Sequence, residues 1–422
     1  MWQNPPYRQA CAATHLKAGM SALAAAVMMI FFSQPTHASF IGKTIRPYAS
    51  YSLTADDNIL RIRDNMDTQA LLGTDNLFDF AQRFTGGAIL DKRISRQQLS
   101  ANGNWSYNRY EKFSQINNKA LDVRGNWNWF LGNQLEGNMG ASFAKGQSPF
   151  LFQPGIINIR SEEKEYFDLA WRFHSNWRLH GDYTHFKFKS NNPRLRFQNR
   201  QEDIFGTGFD YLATSGSSIG IHYRNIQGKF TTPIQTTEGF LSENNYDQNE
   251  IKGKINWILT GKSSVEFLGG WVERTNPSVT SSDFNGFNAR LKYNWKPTSK
   301  TKITISGWRE TVAIQSLNAN FSLNTGTSIT PIWNLTEKIK LSGYFSYLSQ
   351  KTDRFFRFTT NETALGNTND IITASMELSY TPYYGVEVSA SAYHNSLSTN
   401  APLGGFNANG GVINLRYLFG KP

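Results

Sequence analysis

The segment LSANGNWSYNRY, residues 99–110, alternates without a break between two kinds of residue. Leu99, Trp105 and Tyr107 belong to the apolar series, and the positions between them are Ser and Asn. A period of two is typical of a strand with one dry and one wet face. The polar face carries Asn and Ser in place of the Lys and Glu usual on soluble sheets. This difference raises the question of whether the face lies against bulk solvent or against water in an enclosed space.

The same alternation recurs towards the C-terminus, for example over residues 121–129, 287–295 and 372–380. Counting such runs predicts about eighteen strands of roughly ten residues, the length that a tilted strand needs to cross a bilayer. The composition agrees with this, since 14% of the residues are aromatic, 34 are glycines and the mean hydropathy is −0.47. These values are typical of a chain with many strands and turns.

The predicted connections alternate between short turns and long polar loops. The predicted long loops are 55–81, 146–163, 231–246, 351–369 and 396–409. Short turns at one rim and long loops at the other are typical of a transmembrane barrel. A β-propeller repeats at a similar period but packs four short strands into each repeat, where this chain has two long ones. We therefore predict an all-β chain that forms a transmembrane antiparallel β-barrel with a polar, water-filled lumen.

The N-terminus carries Arg8 and Lys17, then an apolar run over residues 19–32, then a small-residue site around Ala38. This order predicts a secretory signal over residues 1–38, which leaves a barrel domain over residues 39–422. The one cysteine, Cys11, lies in the signal, so the mature chain would hold no thiol for a disulfide, a zinc site or nucleophilic chemistry. The predicted location is the outer membrane of a Gram-negative bacterium.

Aromatic residues precede the short turns at regular intervals. They are Trp129, Phe173, Tyr211, Trp257, Trp295, Trp333, Tyr380 and Phe419. Aromatic side chains are favoured where acyl chains meet headgroups, so these residues predict an aromatic girdle at one membrane interface.

Charged residues at inward positions are the predicted lumen lining. They are Arg124, Arg172, Arg224, Lys252, Lys254, Arg290, Lys292, Asp122, Asp168 and Glu377. Two interpretations are open at this point. The charges neutralise one another and give little selectivity, or a weak basic excess suits sugars and acidic glycans.

The predicted loop 146–163 is unusually apolar for an exposed loop. It carries the constriction candidates Phe150, Phe152, Ile156, Glu162 and Glu163. Two arrangements are open. The loop folds into the barrel as a constriction, or it packs against its neighbours outside the lumen.

Motifs for catalysis and metal binding are weak. Residues 216–220 match G-x-S-x-G, but the serine of that motif needs a strand-to-helix elbow and this one enters a strand. His180 and His185 have opposite strand parity, and no pair of histidines offers metal-ligand spacing. We expect no enzymatic activity, no cofactor and no metal site.

Three segments resemble a known family: YSLTADDNILR, SRQQL and NRYEKFSQINNKALDVRGNWNWFLGN, which begin at residues 51, 95 and 108. They resemble EpsL-type outer-membrane proteins of exopolysaccharide operons associated with the exosortase/PEP-CTERM system, within a broader group of β-barrel porins. The family motifs map onto Asp57, Asn58, Arg61, Ser95, Arg96 and Gln97. The resemblance implies a role in exopolysaccharide biosynthesis or export, with a polysaccharide or oligosaccharide and periplasmic export machinery as partners.

Three functions are therefore open. The first is a conduit or accessory for exopolysaccharide, the second is a general diffusion porin or sugar channel, and the third is a non-conducting surface or assembly protein. In each case we expect membrane lipid as a partner and no nucleic acid.

Overall fold

The computed structural model describes residues 44–151, 155–235, 241–243, 245–277, 283–313, 321–352 and 368–420. Several predictions fall outside these ranges: the signal over residues 1–38 with Cys11, the candidate Phe152, and nearly all of the predicted loop 351–369.

The alternating segments form long strands. They are β1 (Ile45–Asp56), β2 (Asp79–Ile94), β3 (Gln97–Tyr110), β4 (Asn118–Leu131), β5 (Leu135–Gln147), β6 (Ile159–His174), β7 (Trp177–Ser190), β8 (Arg200–Leu212), β9 (Ser218–Phe230), β10 (Ile234–Gln235), β11 (Leu241–Ser242), β12 (Tyr246–Thr260), β13 (Ser263–Thr275), β14 (Phe284–Trp295), β15 (Thr301–Ala313), β16 (Phe321–Asn334), β17 (Ile339–Thr352), β18 (Thr368–Tyr380), β19 (Val386–Thr399) and β20 (Phe406–Leu418).

All of these strands except β10 and β11 form one closed, 18-stranded antiparallel sheet. Each strand pairs with the next along the chain, and β1 closes the barrel by pairing with β20 from Tyr48↔Leu418 to Asp56↔Gly410. Strands β10 and β11 form a separate small hairpin. Closure satisfies the backbone groups that a sheet edge would expose, which is what allows strands to lie in hydrocarbon. The predicted fold class is confirmed.

The barrel strands run for 12 to 16 residues, so they are longer than we expected. Three of the predicted loops are correspondingly shorter: the connections are 57–78 in place of 55–81, 148–158 in place of 146–163 and 400–405 in place of 396–409. A tilted strand needs only about ten residues to cross the hydrocarbon, so these strands continue their hydrogen-bond ladders beyond it. Alternation alone gives no signal for where such a ladder ends.

The two rims differ in their connections. The short-turn rim holds the chain ends of the barrel and turns such as 95–96, 132–134 and 213–217, and the long-loop rim holds the remaining connections. Helix α1 (Thr68–Leu72) and two 3₁₀ helices, Ser114–Ile116 and Pro193–Gln198, lie at the long-loop rim. Within the described residues, no helix is long and apolar enough to cross a membrane.

The register continues one pattern around the barrel. Leu99 lies opposite Trp127, and Ser100 lies opposite Asn126, so apolar rows and polar rows occupy opposite faces of the wall. The serine of the G-x-S-x-G match, Ser218, begins β9 and accepts a hydrogen bond from Asn256 at 3.2 Å. It lies at the start of a strand and not on a strand-to-helix elbow.

Candidate functional site in the barrel lumen

The outer face of the barrel is apolar and exposed. Leu99, Leu291 and Trp105 are 36%, 46% and 48% exposed and lie in the rows that face away from the lumen. A continuous apolar surface of this size is unfavourable in water and favourable in hydrocarbon. The chain is therefore a membrane barrel, and barrels of this kind lie in the outer membrane of Gram-negative bacteria.

The predicted girdle residues lie in outward rows at the short-turn rim. Six of them are exposed: Phe173, Tyr211, Trp257, Trp295, Trp333 and Tyr380. The other two pack on aromatic neighbours, with Trp129 stacked on Phe167 at 6.1 Å between ring centroids and Phe419 edge-on to Tyr417 at 4.7 Å. The structure thus places all eight at one rim and on one face.

All ten predicted lumen-lining residues lie in the rows that face inward. Most of the basic ones contact a carboxylate on the same or a neighbouring strand. The N···O distances are 2.9 Å for Arg124–Asp122, 3.7 Å for Arg172–Glu136, 2.6 Å for Arg224–Glu250, 2.9 Å for Lys252–Glu250, 2.5 Å for Arg290–Glu310 and 3.0 Å for Lys292–Glu266. Such pairs cancel charge locally, so they favour the neutralised lining over the weak basic excess.

The described start of loop 148–158, between β5 and β6, turns towards the inner face of the barrel. Leu151 packs against a buried cluster of Ile371, Leu397, Phe406 and Ala408. These four residues lie in the inward rows of β18, β19 and β20, which are five to eight strands around the barrel from β5 and β6. The described part of the loop makes contacts of both kinds that the sequence left open: Leu151 packs on the inner wall, and Phe150 packs against neighbouring loops.

The ends of this loop are fixed to the wall. The Ser148 amide donates to the Asn158 carbonyl at 2.8 Å, and the Asn158 side-chain amide donates to Ser148 Oγ at 3.0 Å. Ser190 Oγ on β7 donates to Asn158 Oδ1 at 2.6 Å. Asn158, Ser148 and Ser190 are all buried, so the base of the loop is a closed polar network rather than a flexible hinge.

The constriction candidates divide into two groups. Phe150 is buried in the loop, and Ile156 is half-buried there. Glu162 and Glu163 are strand residues of β6, because β6 begins at Ile159. Only Glu162 faces the lumen, where it contacts Arg160 at 3.2 Å; Glu163 faces outward and lies 3.9 Å from Lys187. The prediction that both carboxylates belong to the constriction loop was therefore wrong.

Phe150 joins the loop to two others through an apolar cluster that the sequence analysis missed. The cluster consists of Leu60 and Ile62 from loop 57–78, Phe113 and Ile116 from loop 111–117, and Phe150, and all five are at most 9% exposed. The Gly155 amide also donates to the Leu60 carbonyl at 3.0 Å. A run of apolar residues inside a polar loop was the available signal, and it is visible in the ILRI stretch over residues 59–62.

The motif residues near the start of the barrel hold loop 57–78 in place. Arg61 forms a salt bridge with the buried Asp56 at 2.8 Å, and Tyr393 donates a hydrogen bond to the same carboxylate. Burial lowers the pKa of Arg61, but the hydrogen bond and charge of Asp56 outweigh burial and leave that pKa raised. The Asn58 side-chain amide donates to the Ile62 carbonyl at 2.9 Å, and the Ile62 amide donates to Asn58 Oδ1 at 2.9 Å.

The second set of motif residues ties two short turns together. Arg96 donates to Asn133 at 3.0 Å, Gln97 donates to the Phe130 carbonyl at 2.8 Å, and Ser95 has a positive φ of 55°. Both sets of motif residues therefore act in packing and turn geometry.

The expectation that no pair of histidines has metal-ligand spacing is wrong for one pair. His180 and His222 face each other across β8 with ring centroids 5.3 Å apart, and Asp182 lies beside them. They are 42 positions apart in sequence, so no local spacing reveals the pair; only the strand register brings them together.

Comparisons with known proteins concern the fold. OpdK from Pseudomonas aeruginosa is 9% identical, covers 90% of this chain and all of its own (100%), and has a TM-score of 0.47. OccK2 (OpdF) from the same organism, solved with glucuronate, has 9% identity, 90% and 99% coverage and a TM-score of 0.47. A BenF-like porin from Pseudomonas fluorescens Pf-5 has 10% identity, 90% and 100% coverage and a TM-score of 0.46. At these scores the likeness carries no argument about solute or mechanism.

No protein-family model and no curated protein matches the chain. The EpsL-type resemblance, with the polysaccharide and export-machinery partners that it implies, finds no support in these comparisons.

Proposed function

We propose that the barrel is a diffusion channel for small polar solutes, sugars among them, and that loop 148–158 narrows its passage. The observation that carries this proposal is the packing of Leu151 against the inward cluster of Ile371, Leu397, Phe406 and Ala408 on β18, β19 and β20. A loop held across the lumen divides the passage, which suits small solutes and obstructs a long polymer. This reverses the order of functions that the sequence resemblance favours.

The lining supports passage without strong charge selection. Arg124, Arg290 and Lys292 each contact a carboxylate, so their charges are already balanced in the wall. Polar groups that bind solute weakly at several points allow entry and release. We therefore expect small neutral solutes to pass and anion preference to be slight.

The resemblance to exopolysaccharide proteins supplies no competing site. Asp57 accepts hydrogen bonds from the amide and side chain of Asn409 at 2.7 and 3.0 Å, and Asn58 and Arg61 are engaged within the first loop. These contacts account for the motif residues without a glycan.

Conductance of the purified protein in planar bilayers tests the proposal. In the test variant a short Gly-Ser link replaces residues 149–157, and Ser148 and Asn158 stay to preserve the network with Ser190. We expect the wild type to conduct and the variant to conduct severalfold more. Leu151→Ser should raise conductance in the same direction, and the exposed Ile157 of the same loop supplies the control Ile157→Ser, which should not.

Liposome swelling separates small solutes from polymers. Monosaccharides should enter wild-type vesicles faster than long oligosaccharides, and the linked variant should reduce this difference. Absence of conductance in both the wild type and the folded variant would overturn the channel proposal and favour a surface or assembly role. Equal passage of long and short sugars through the wild type would restore the polysaccharide conduit.

A further inference from the structure

Three inward-facing residues form a compact cluster on the two strands that flank β8. His180 and Asp182 lie on β7, and His222 lies on β9. In the ladder His180 is opposite Gly208 of β8, and Gly208 is opposite His222. The cluster lies a few residues from the short-turn rim, so it is separate from loop 148–158.

Two glycines of β8 make room for this cluster. A Cβ at Gly208 would lie 2.5 Å from Nε2 of His180, and a Cβ at Gly206 would lie 2.3 Å from Oδ1 of Asp182. Any other residue at either position would push these side chains away from β8. The strand between the two histidines therefore has no side chain where their ligand atoms meet.

The ligand atoms of the three residues are almost at bonding separation for one metal ion. His222 Nε2 and Asp182 Oδ1 are 3.1 Å apart, and all three ligand atoms lie within 4.8 Å of one another. Two ligands at about 2.1 Å from a tetrahedral zinc ion lie roughly 3.4 Å apart. Small rotations of the His180 and His222 rings close the remaining distance.

A purely hydrogen-bonded arrangement leaves one atom unexplained. His180 Nε2 is buried and has no hydrogen-bond partner, although Asp210 Oδ2 lies 3.5 Å away. Asp210 is already bound by Arg178, whose Nη2 is 2.6 Å from the same oxygen. A buried imidazole nitrogen that makes no hydrogen bond and lies beside a carboxylate and a second imidazole has the surroundings of a metal ligand.

We propose that His180, Asp182 and His222 bind one divalent transition-metal ion of the zinc class. Two imidazoles and one carboxylate are ligands that zinc, nickel and cobalt accept, and three protein ligands leave one position open. The side chains of His180, His222 and Asp182 are 17%, 20% and 31% exposed, so an ion in the lumen can reach them. The loaded site places a Lewis acid in the lumen wall, and its existence does not depend on whether the channel conducts.

Calorimetric titration with zinc chloride alone tests the site. The protein carries no affinity tag with histidines, is refolded in detergent and is freed of metal with a chelator. We expect one zinc ion per chain, and His180→Asn and His222→Asn should each weaken binding by about tenfold or more, as loss of a metal-site partner generally does. The matched control is His185→Asn: His185 contacts Asp203 at 2.8 Å on the outer face, where no second histidine from the described part of the chain joins them.

A cavity variant and a spectroscopic measurement complete the test. Gly208→Ala places a methyl group against His180 and should weaken zinc binding, while circular dichroism confirms the barrel. Cobalt bound at the site should give visible ligand-field bands that His222→Asn abolishes. Absence of stoichiometric zinc binding to the wild type would overturn the proposal, as would undiminished binding in the double variant His180→Asn/His222→Asn or equal loss in His185→Asn.

Discussion

The lumen has two halves that are lined by the same strands and built in different ways. Near the long-loop rim, the inward residues Phe188, Val272 and Phe406 are at most 1% exposed. Near the short-turn rim, the inward residue Phe130 is 38% exposed, and the Arg172 side chain is 43% exposed. One half is therefore packed like the core of a soluble protein, and the other is wet.

The difference between the two halves shows that buried packing inside the barrel is concentrated near the long-loop rim. The closed ladder pairs the backbone groups of every strand, and hydrocarbon covers the apolar rows of the outer face, so the strands need no internal core in order to stay closed. The buried clusters instead join three loops at the long-loop rim, with Leu60, Phe113 and Phe150 in one cluster and Leu151 packed on the other. Packing inside the barrel therefore serves the position of its loops.

The largest expected effect is on core packing. Phe406→Ala removes a fully buried ring and should lower the free energy of unfolding by about 3–5 kcal/mol. The matched change Phe130→Ala, on the inner face of the wet half, should lower it by less than about 1 kcal/mol because the ring is already exposed. Urea unfolding of protein refolded into lipid vesicles measures both values. Equal losses would mean that the two halves are packed alike.

The next effect concerns ion pairs in the two halves. The Asp56 and Arg61 side chains are 2% and 12% exposed, whereas those of Glu266 and Lys292 are 47% and 42% exposed. Asp56→Asn leaves the Arg61 guanidinium buried and unpaired, and we expect a loss of about 3 kcal/mol.

Glu266→Gln should cost about 0–1 kcal/mol because solvent screens that pair. The same urea experiment gives both losses, and protease sensitivity of loop 57–78 supplies a second readout that only Asp56→Asn should increase. If Glu266→Gln lowers the free energy of unfolding as much as Asp56→Asn does, the Glu266–Lys292 pair is less exposed to solvent than the structure shows.

The smallest effect lies in the turns of the short-turn rim. Ser95 has a φ of 55°, a conformation that costs an L-residue about 1–2 kcal/mol. Ser95→Gly should raise the free energy of unfolding by about 0.5–1 kcal/mol, because the relief of strain exceeds the extra backbone entropy that glycine loses on folding. Gly132, with a φ of 61°, provides the reverse control Gly132→Ser, which should destabilise it. Thermal unfolding in detergent would refute this reasoning if both changes shifted the midpoint in the same direction.

The sequence predicts the strands of the barrel wall well, but it predicts poorly which side chains and loops come together inside the barrel. The alternation of Leu99 with Ser100 is a local pattern, and it is enough to predict the strands, their two faces and the outer-membrane barrel. The site depends on register and on loop paths, which join residues far apart in the chain. His180 meets His222 only because β8 places Gly208 between them, and Leu151 packs against the cluster of Ile371, Leu397, Phe406 and Ala408 only because its loop turns towards the inner wall.

The sequence also could not predict where the strands end. The sequence predicts Glu162 and Glu163 as loop residues because the hydropathy pattern marks only the part of a strand that lies in the hydrocarbon. The hydrogen-bond ladder of β6 continues beyond that part and begins at Ile159. The apolar residues of the ILRI stretch could have been identified as buried, but nothing in the sequence names Phe113 and Phe150 as their partners.

Cross-linking across the lumen tests the central claim most directly. The chain has a single cysteine, Cys11, so Cys11→Ser combined with Leu151→Cys and Ile371→Cys supplies one defined pair of thiols. The account predicts that a short bifunctional maleimide joins them within one chain, which denaturing gels detect as a mobility change. The control replaces Ile371→Cys with Ile372→Cys, which faces outward, and should not cross-link. A folded protein in which Leu151→Cys fails to join Ile371→Cys, or joins Ile372→Cys equally well, would contradict a loop held across the lumen.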